Sequence, residues 1–279
     1  MDDTCDLLVL DGGLSNALED RGHDLSTDAW TARLLLDDPG EIAAVHRAYY
    51  EAGADVATTA SYQATQDLLA VSVRIAREVR DEVAAETGRR LLVAASVGPY
   101  GALLADGSEY RGRYGVSAAT LRDFHAPRLE ALAAAGPDLL AVETVPDADE
   151  AEVLVRLLGD LGVPAWFSYA VAGDATRAGQ PLAAAYDVLA GCDVLVAAGS
   201  TARRPATSPG RWRPRPPRPV CPASPTPTSA SAGTTRPTAG RATASSTSTR
   251  RRPGWSRARG SWGAVAGSDP TGSPPSPLT

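Results

Sequence analysis

The chain has 279 residues with 27 basic and 33 acidic side chains, a net charge of −6, and none of the cations is a lysine. Residues 1–199 hold 14 Arg against 32 acids, whereas residues 200–279 hold 13 Arg against Asp269 alone, with 15 of the 22 prolines and only Val220, Val265 and Leu278 as aliphatics larger than alanine. That second part cannot bury a core; no apolar run reaches the roughly 18 residues of a membrane span, and the acidic start Met1-Asp2-Asp3 is unlike a targeting signal, so a cytoplasmic protein with no membrane partner is expected.

In chain order, Leu7-Leu8-Val9-Leu10 reads as a buried strand that runs into Asp11-Gly12-Gly13. A short helix over 30–36 follows a possible cap at Ser26 or Thr27. Pro39-Gly40-Glu41 opens a second helix with Ile42, Val45, His46, Tyr49 and Tyr50 at helical spacing, stopped by Gly53. The β-branched and small run 56–60 is the next strand, and it leads directly into Ser61, Tyr62 and Gln63. Residues 68–87 form an amphipathic helix, with Val71, Ile75, Val79 and Val83 on one stripe.

The strand 91–95 ends in Ser96, and Ser117 or Thr120 starts a helix through Phe124, Leu129 and Leu132 that Gly136 closes. Leu139-Leu140-Ala141-Val142 ends in Glu143-Thr144, followed by a helix over 148–158, a strand over 165–169, a helix over 182–189 and a sixth strand over 193–198. Strand and helix alternate six times, which implies an α/β protein with a parallel sheet and right-handed crossovers. A short repeat, Ala-Gly-x-Asp-hydrophobic, precedes strands at 52–56 and 135–139 and, with Cys192, at 190–194. Its glycine ends a helix and turns the chain into a buried strand.

In a parallel sheet the carboxyl ends of all strands share one face, where such proteins keep their chemistry. Asp11, Thr59, Ser61, Ser96 and Glu143 are therefore expected to converge. Glu143 stands out because a carboxylate after Leu-Leu-Ala-Val must be solvated or paired. His46 and His125 lie on helices and read as surface or packing residues. Cys192 precedes the sixth strand, opposite the site, and reads as a small apolar residue; Cys5 falls in a fraying terminus, and Cys221 follows an Arg-Pro run with no His or Cys nearby.

Several motifs in the same order resemble the homocysteine S-methyltransferases: Leu10-Asp11-Gly12-Gly13, the run from Ala52 to Thr65, Ser96-Val97-Gly98-Pro99-Tyr100-Gly101, Asp106-Gly107-Ser108-Glu109-Tyr110-Arg111-Gly112, Phe124-His125 with Pro127-Arg128, and Ala141-Val142-Glu143-Thr144. The resemblance implies a (β/α)8 TIM barrel, of which about six βα units are intact in residues 1–199. It implies homocysteine and a methyl donor, S-methylmethionine or S-adenosylmethionine, as partners, and methionine as product. Asp11 and Gly12 at the first strand end and Glu143 at the fourth would hold the amino and carboxylate groups of homocysteine, and Ser61, Tyr62 and Gln63 would line the pocket. It also implies zinc, bound by three cysteines, which would carry homocysteine as its thiolate.

Those three cysteines are absent from this chain. Where the family has Gly-Val-Asn-Cys-Thr after the sixth strand, residues 199–203 read Gly-Ser-Thr-Ala-Arg; where it has Val-Gly-Gly-Cys-Cys-Arg-Val-Gly, residues 262–269 read Trp-Gly-Ala-Val-Ala-Gly-Ser-Asp. One shift of frame accounts for both. Codons GGG TCA ACT GCA CGG, read one base earlier, give GTC AAC TGC ACG, Val-Asn-Cys-Thr, and a suitable choice of third bases restores the second motif in the same frame. Residues 200–279 are thus read as an off-frame, irregular tail with no intact catalytic or metal residues. The competing reading is a disordered basic nucleic-acid-binding arm on an acidic domain. A milder departure is the short link from Gln63 to Leu69, where the family has a longer loop.

Overall fold

A computed structural model describes residues 8–25, 30–104 and 106–201. The tail and the expectations placed on it lie outside the described residues, as do Cys5 and Cys221. In chain order the elements are α1 (Leu14–Asp20), α2 (Trp30–Asp37), α3 (Pro39–Glu51), β1 (Val56–Thr58), α4 (Leu69–Thr87), β2 (Leu92–Val97), α5 (Ala118–Ala134), β3 (Leu139–Val145), α6 (Ala148–Leu161), β4 (Ala165–Ala172), β5 (Ala175–Thr176), α7 (Leu182–Leu189) and β6 (Leu195–Thr201). Three single turns of 3-10 helix, Gln66–Leu68, Tyr100–Leu103 and Ser108–Tyr110, lie in the loops after β1 and β2.

The parallel strands run in the order β1, β2, β3, β4, β6, with β5 folded back antiparallel on the end of β4. The chain at Leu10 joins β1 through a single parallel bridge to Val56, so the first expected strand is one bridge rather than a full ladder. The result is a curled half-barrel of α/β type. Side chains alternate across it: Leu92, Ala94, Leu139 and Ala141 face one buried cluster with Val56, while Ala95, Val97, Leu140 and Val142 face the helices together with Leu129, Leu154 and Leu158. All six β2 residues are buried, as a strand covered on both faces requires. Each fully buried Leu such as Leu129, Leu140 or Leu154 contributes about 1.5–3 kcal/mol.

The glycine repeat acts as the sequence implies. Gly53, Gly136 and Gly191 have φ of 108°, 74° and 84°, a region in which a Cβ is strained. The aspartate two residues later does further work at the amino end of the sheet. Asp55 Oδ2 accepts the Val9 amide at 3.0 Å, and Asp138 Oδ2 accepts the Val93 amide at 2.8 Å. Each also pairs with an arginine, Arg89 at 3.1 Å and Arg80 at 2.6 Å. At these two of its three occurrences the repeat ties a strand to its neighbour at the end opposite the candidate site.

Helix starts follow their caps. Ser117 Oγ accepts the Thr120 amide at 3.1 Å to open α5, and Asp147 Oδ1 accepts the Asp149 amide at 3.1 Å to open α6. Helix α1 is an addition to the sequence reading: its apolar positions are too few to announce it, and only Leu18 is fully buried.

Candidate active site

The polar side chains that follow the strands form two neighbouring hydrogen-bonded sets, Asp11 with Thr58, and Thr59, Ser61, Ser96 and Glu143. Asp11 reaches across to the next strand, where its Oδ2 accepts the Thr58 amide at 2.7 Å and its Oδ1 accepts the Thr58 hydroxyl at 2.8 Å. Thr59 Oγ1 lies 2.7 Å from Ser61 Oγ and accepts the Ser96 amide at 3.0 Å. Ser61 donates to the Ser96 carbonyl at 2.7 Å, and the Ser96 hydroxyl donates to Glu143 Oε1 at 2.5 Å. Five residues expected to converge do so, over the ends of β1, β2 and β3.

Glu143 is aimed by a break in its own strand. The β3·β4 register shifts between Val142 and Val145, and Thr144 has a φ of 61°, an outlier for a β-branched residue. The bulge turns the Glu143 carboxylate toward Ser96 instead of leaving it in the pleat. Strain of this kind costs about 1–3 kcal/mol and is typical of sites rather than of scaffolds.

Both carboxyls are poised. Burial raises Asp11 to about 7, against the two Thr58 hydrogen bonds that favour its anion, and the charge of Glu143 adds to the rise. Burial likewise raises Glu143, with the Ser96 hydroxyl opposing it. No ion pair to Asp11 or Glu143 occurs among the described residues. Two carboxyls desolvated side by side without a cation suit a ligand that brings one.

Loops close over this end. Gly12 lies against Tyr49, whose hydroxyl would be 2.8 Å from a Cβ there and which donates to the Gly13 carbonyl at 3.0 Å. Tyr62 packs under the loop after β2, where a Cβ on Gly98 would stand 2.8 Å from the Tyr62 carbonyl oxygen. Gln63 Nε2 donates to the Ala102 carbonyl at 3.2 Å and joins the loops after β1 and β2.

Helix α5 holds both loops from behind. Arg128, 4% exposed, donates to the Ala64 carbonyl at 2.9 Å and to the Ser61 carbonyl at 3.3 Å, with its guanidinium 5.3 Å from the Phe124 ring centre. One turn earlier, His125 Nε2 meets Glu150 Oε1 at 2.8 Å; that oxygen also accepts the Tyr100 amide at 2.6 Å, and Tyr114 donates to Oε2 at 3.2 Å.

Of the residues singled out from sequence, Asp11 and Glu143 hold half-buried carboxylates at the strand ends, Gly12 allows the close approach of Tyr49, and Tyr62 lies against Gly98 of the loop after β2. Ser61 and Gln63 spend their polar atoms on neighbouring backbone and side chains, so they brace the loops rather than offer free donors. His46 is packing: it is fully buried, its ring nitrogens have no partner, and burial pushes it down to about 4. His125 is no surface residue but half of a buried pair. Cys192 lies behind the sheet, its thiol 3.7 Å from the Val155 carbonyl.

The residues present do not fit the three-thiolate zinc site that the resemblance implies. At the end of β6 stand Gly199, Ser200 and Thr201, and the Thr201 hydroxyl is buried without a partner. Among the described residues no group of three or more His, Cys, Asp or Glu is arranged to hold a metal, and no helix is long and apolar enough to cross a membrane.

The sequence profile of the homocysteine S-methyltransferase family matches residues 8–201. Homocysteine S-methyltransferase of Escherichia coli K12 is 44% identical over 215 residues, covering 71% of this chain and 69% of the relative. Homocysteine S-methyltransferase YbgG of Bacillus subtilis 168 is 45% identical over 187 residues, and the chain spans only 59% of that relative's length. Among solved structures, the metallated form of the homocysteine methyltransferase MmuM from Escherichia coli matches with a TM-score of 0.68 at 44% identity, over 71% of this chain and 75% of that one. The profile stops at residue 201, beside Gly199, where the sequence motifs part from the family.

Proposed function

This chain belongs to the homocysteine S-methyltransferase family, and we propose that residues 8–201 retain the half of the family's pocket that binds homocysteine as an amino acid while the chain as written cannot activate its thiol. The observation that carries this reading is the uncompensated pair Asp11 and Glu143 at the strand ends. An α-ammonium group placed against them replaces lost hydration with charge-assisted hydrogen bonds, which are about twice as strong as neutral ones. By the family resemblance the backbone at Gly12 would meet the carboxylate, and Ser61, Tyr62 and Gln63 would shape the walls.

Zinc, methionine formation and a cytoplasmic location belong to the same proposal for the parent enzyme. Bound zinc would supply a deprotonated thiolate for attack on a methyl sulfonium. In this chain Ala202 stands where the first thiolate is needed, so no step through the metal is assigned to it. The test compares this chain with one whose earlier reading frame is restored near codon 198. The restored chain is expected to bind one zinc and form methionine from homocysteine and S-methylmethionine or S-adenosylmethionine, and this chain to do neither. Methionine formation by the chain as written would refute the thiol argument; a restored chain that binds zinc yet forms none from any donor would refute the assignment of activity.

A further inference from the structure

Arg128 is a buried cation whose hydrogen-bond partners are uncharged. It is 4% exposed, no ion pair to it occurs among the described residues, and its guanidinium donates to two main-chain carbonyls, Ala64 at 2.9 Å and Ser61 at 3.3 Å. Burying a guanidinium without a counter-ion is costly. What arginine supplies in return is a rigid planar fork that holds two acceptors at a fixed spacing.

Those acceptors are the two ends of one turn. The Ala64 amide donates back to the Ser61 carbonyl at 3.3 Å, so the fork closes on residues 61–64, directly after the end of β1. Gln66 Nε2 joins the same loop to α5 again, donating to the Pro127 carbonyl at 2.8 Å. Phe124, one turn before Arg128, packs against the guanidinium and meets the Tyr100 ring edge-on at 5.1 Å.

From the turn, direct hydrogen bonds lead to Glu143. The Ser61 hydroxyl donates to the Ser96 carbonyl at 2.7 Å and the Ser96 amide donates to Thr59 Oγ1 at 3.0 Å, so both main-chain polar atoms of Ser96 are held by residues that follow β1. The Ser96 hydroxyl then donates to Glu143 Oε1 at 2.5 Å. A turn released from α5 carries Ser61 with it, loosens Ser96 and leaves the Glu143 carboxylate without a fixed donor.

We propose that Arg128 is a positioning residue for ammonium recognition: it fixes the turn at 61–64, and Ser61 and Ser96 pass that constraint to the Glu143 carboxylate. Arg128 itself touches no ligand. The inference rests on the reading of Asp11 and Glu143 as the pair that receives the homocysteine ammonium.

Calorimetric titration of the full chain with L-homocysteine and with 4-mercaptobutyrate, its analogue without the amine, tests it. The ratio of the two affinities isolates the ammonium contact, because a loss of folded protein weakens both ligands equally. Wild type is expected to prefer homocysteine at least about tenfold, the scale of one charge-assisted contact. Arg128→Lys keeps the charge but has no fork for two carbonyls, and is expected to cut the preference to less than about threefold with 4-mercaptobutyrate affinity nearly unmoved. Ser96→Ala, which leaves Arg128 and the turn intact, is expected to cut it to the same extent, and the double variant to lose no more than either single change, since both act on one chain of bonds.

A lysine variant that keeps the wild-type ratio, or that weakens both ligands equally, overturns the proposal, as does a double variant whose losses multiply. If Arg128→Lys fails to fold, Ser96→Ala decides alone: a retained preference breaks the relay at its last bond and overturns the proposal. A wild type with no preference overturns the pocket reading and the proposal with it, whereas a preference that survives Arg128→Lys overturns the proposal alone.

Discussion

His125 and Glu150 form a pair 2.8 Å apart with 0% and 1% of their surfaces exposed, and the same carboxylate fixes the Tyr100 amide of the loop after β2. Glu150→Ala leaves an imidazole, an amide and the Tyr114 hydroxyl without their acceptor. The expected loss is about 3–5 kcal/mol, read from the urea midpoint, with Glu150→Gln losing less because its amide oxygen still accepts. Hydrogen exchange at the Tyr100 amide is expected to accelerate in the alanine variant. An alanine variant as stable as wild type would contradict the clamp.

Asp11 gives a stability effect with a definite sign. Its folded form holds a proton up to about pH 7, whereas the unfolded side chain releases it near 3.8. Stability from that proton is complete below about pH 4 and is lost as pH rises through about 7, because the native chain then has to bury an anion. Asp11→Asn removes this slope. Between about pH 4 and 8 the ligand-free wild type is expected to lose roughly 2–4 kcal/mol relative to the variant, measured by denaturant melts at each pH. Parallel pH profiles for the two proteins would contradict the burial argument.

Much of this arrangement was legible because a parallel sheet forces its strand ends together. Apolar runs that break into Asp11, Ser61, Ser96 and Glu143 reveal their shared face from order alone. The buried clamp was not legible: Glu150 looks like any acid in the first turn of a helix, and its partner His125 lies 25 residues away. Nor does any local pattern reveal the bulge at Thr144, since its sequence suits an ordinary strand. Ser108 and Glu109 stood inside a recognised motif, but only the packing against Gly101 shows them buried.

Thr144 separates stability from binding. Glycine tolerates a φ of 61° without the Cβ clash, so Thr144→Gly is expected to raise stability by about 1 kcal/mol despite its greater chain entropy. The same change frees Glu143 to return to the pleat, and homocysteine affinity is expected to fall several-fold. A variant that is more stable and binds equally well would show that the bulge does not position the carboxylate.

The central claim is that this chain retains recognition of an amino acid's ammonium group without the means to activate its thiol. The most direct measurement titrates the full chain, by calorimetry, with L-homocysteine and with 4-mercaptobutyrate, which keeps the thiol and carboxylate and lacks the amine. Homocysteine is expected to bind at least about tenfold more tightly, with protons released to the buffer below about pH 7 as Asp11 ionises against the ammonium. Equal affinity for the two compounds, or binding of neither, would contradict the account.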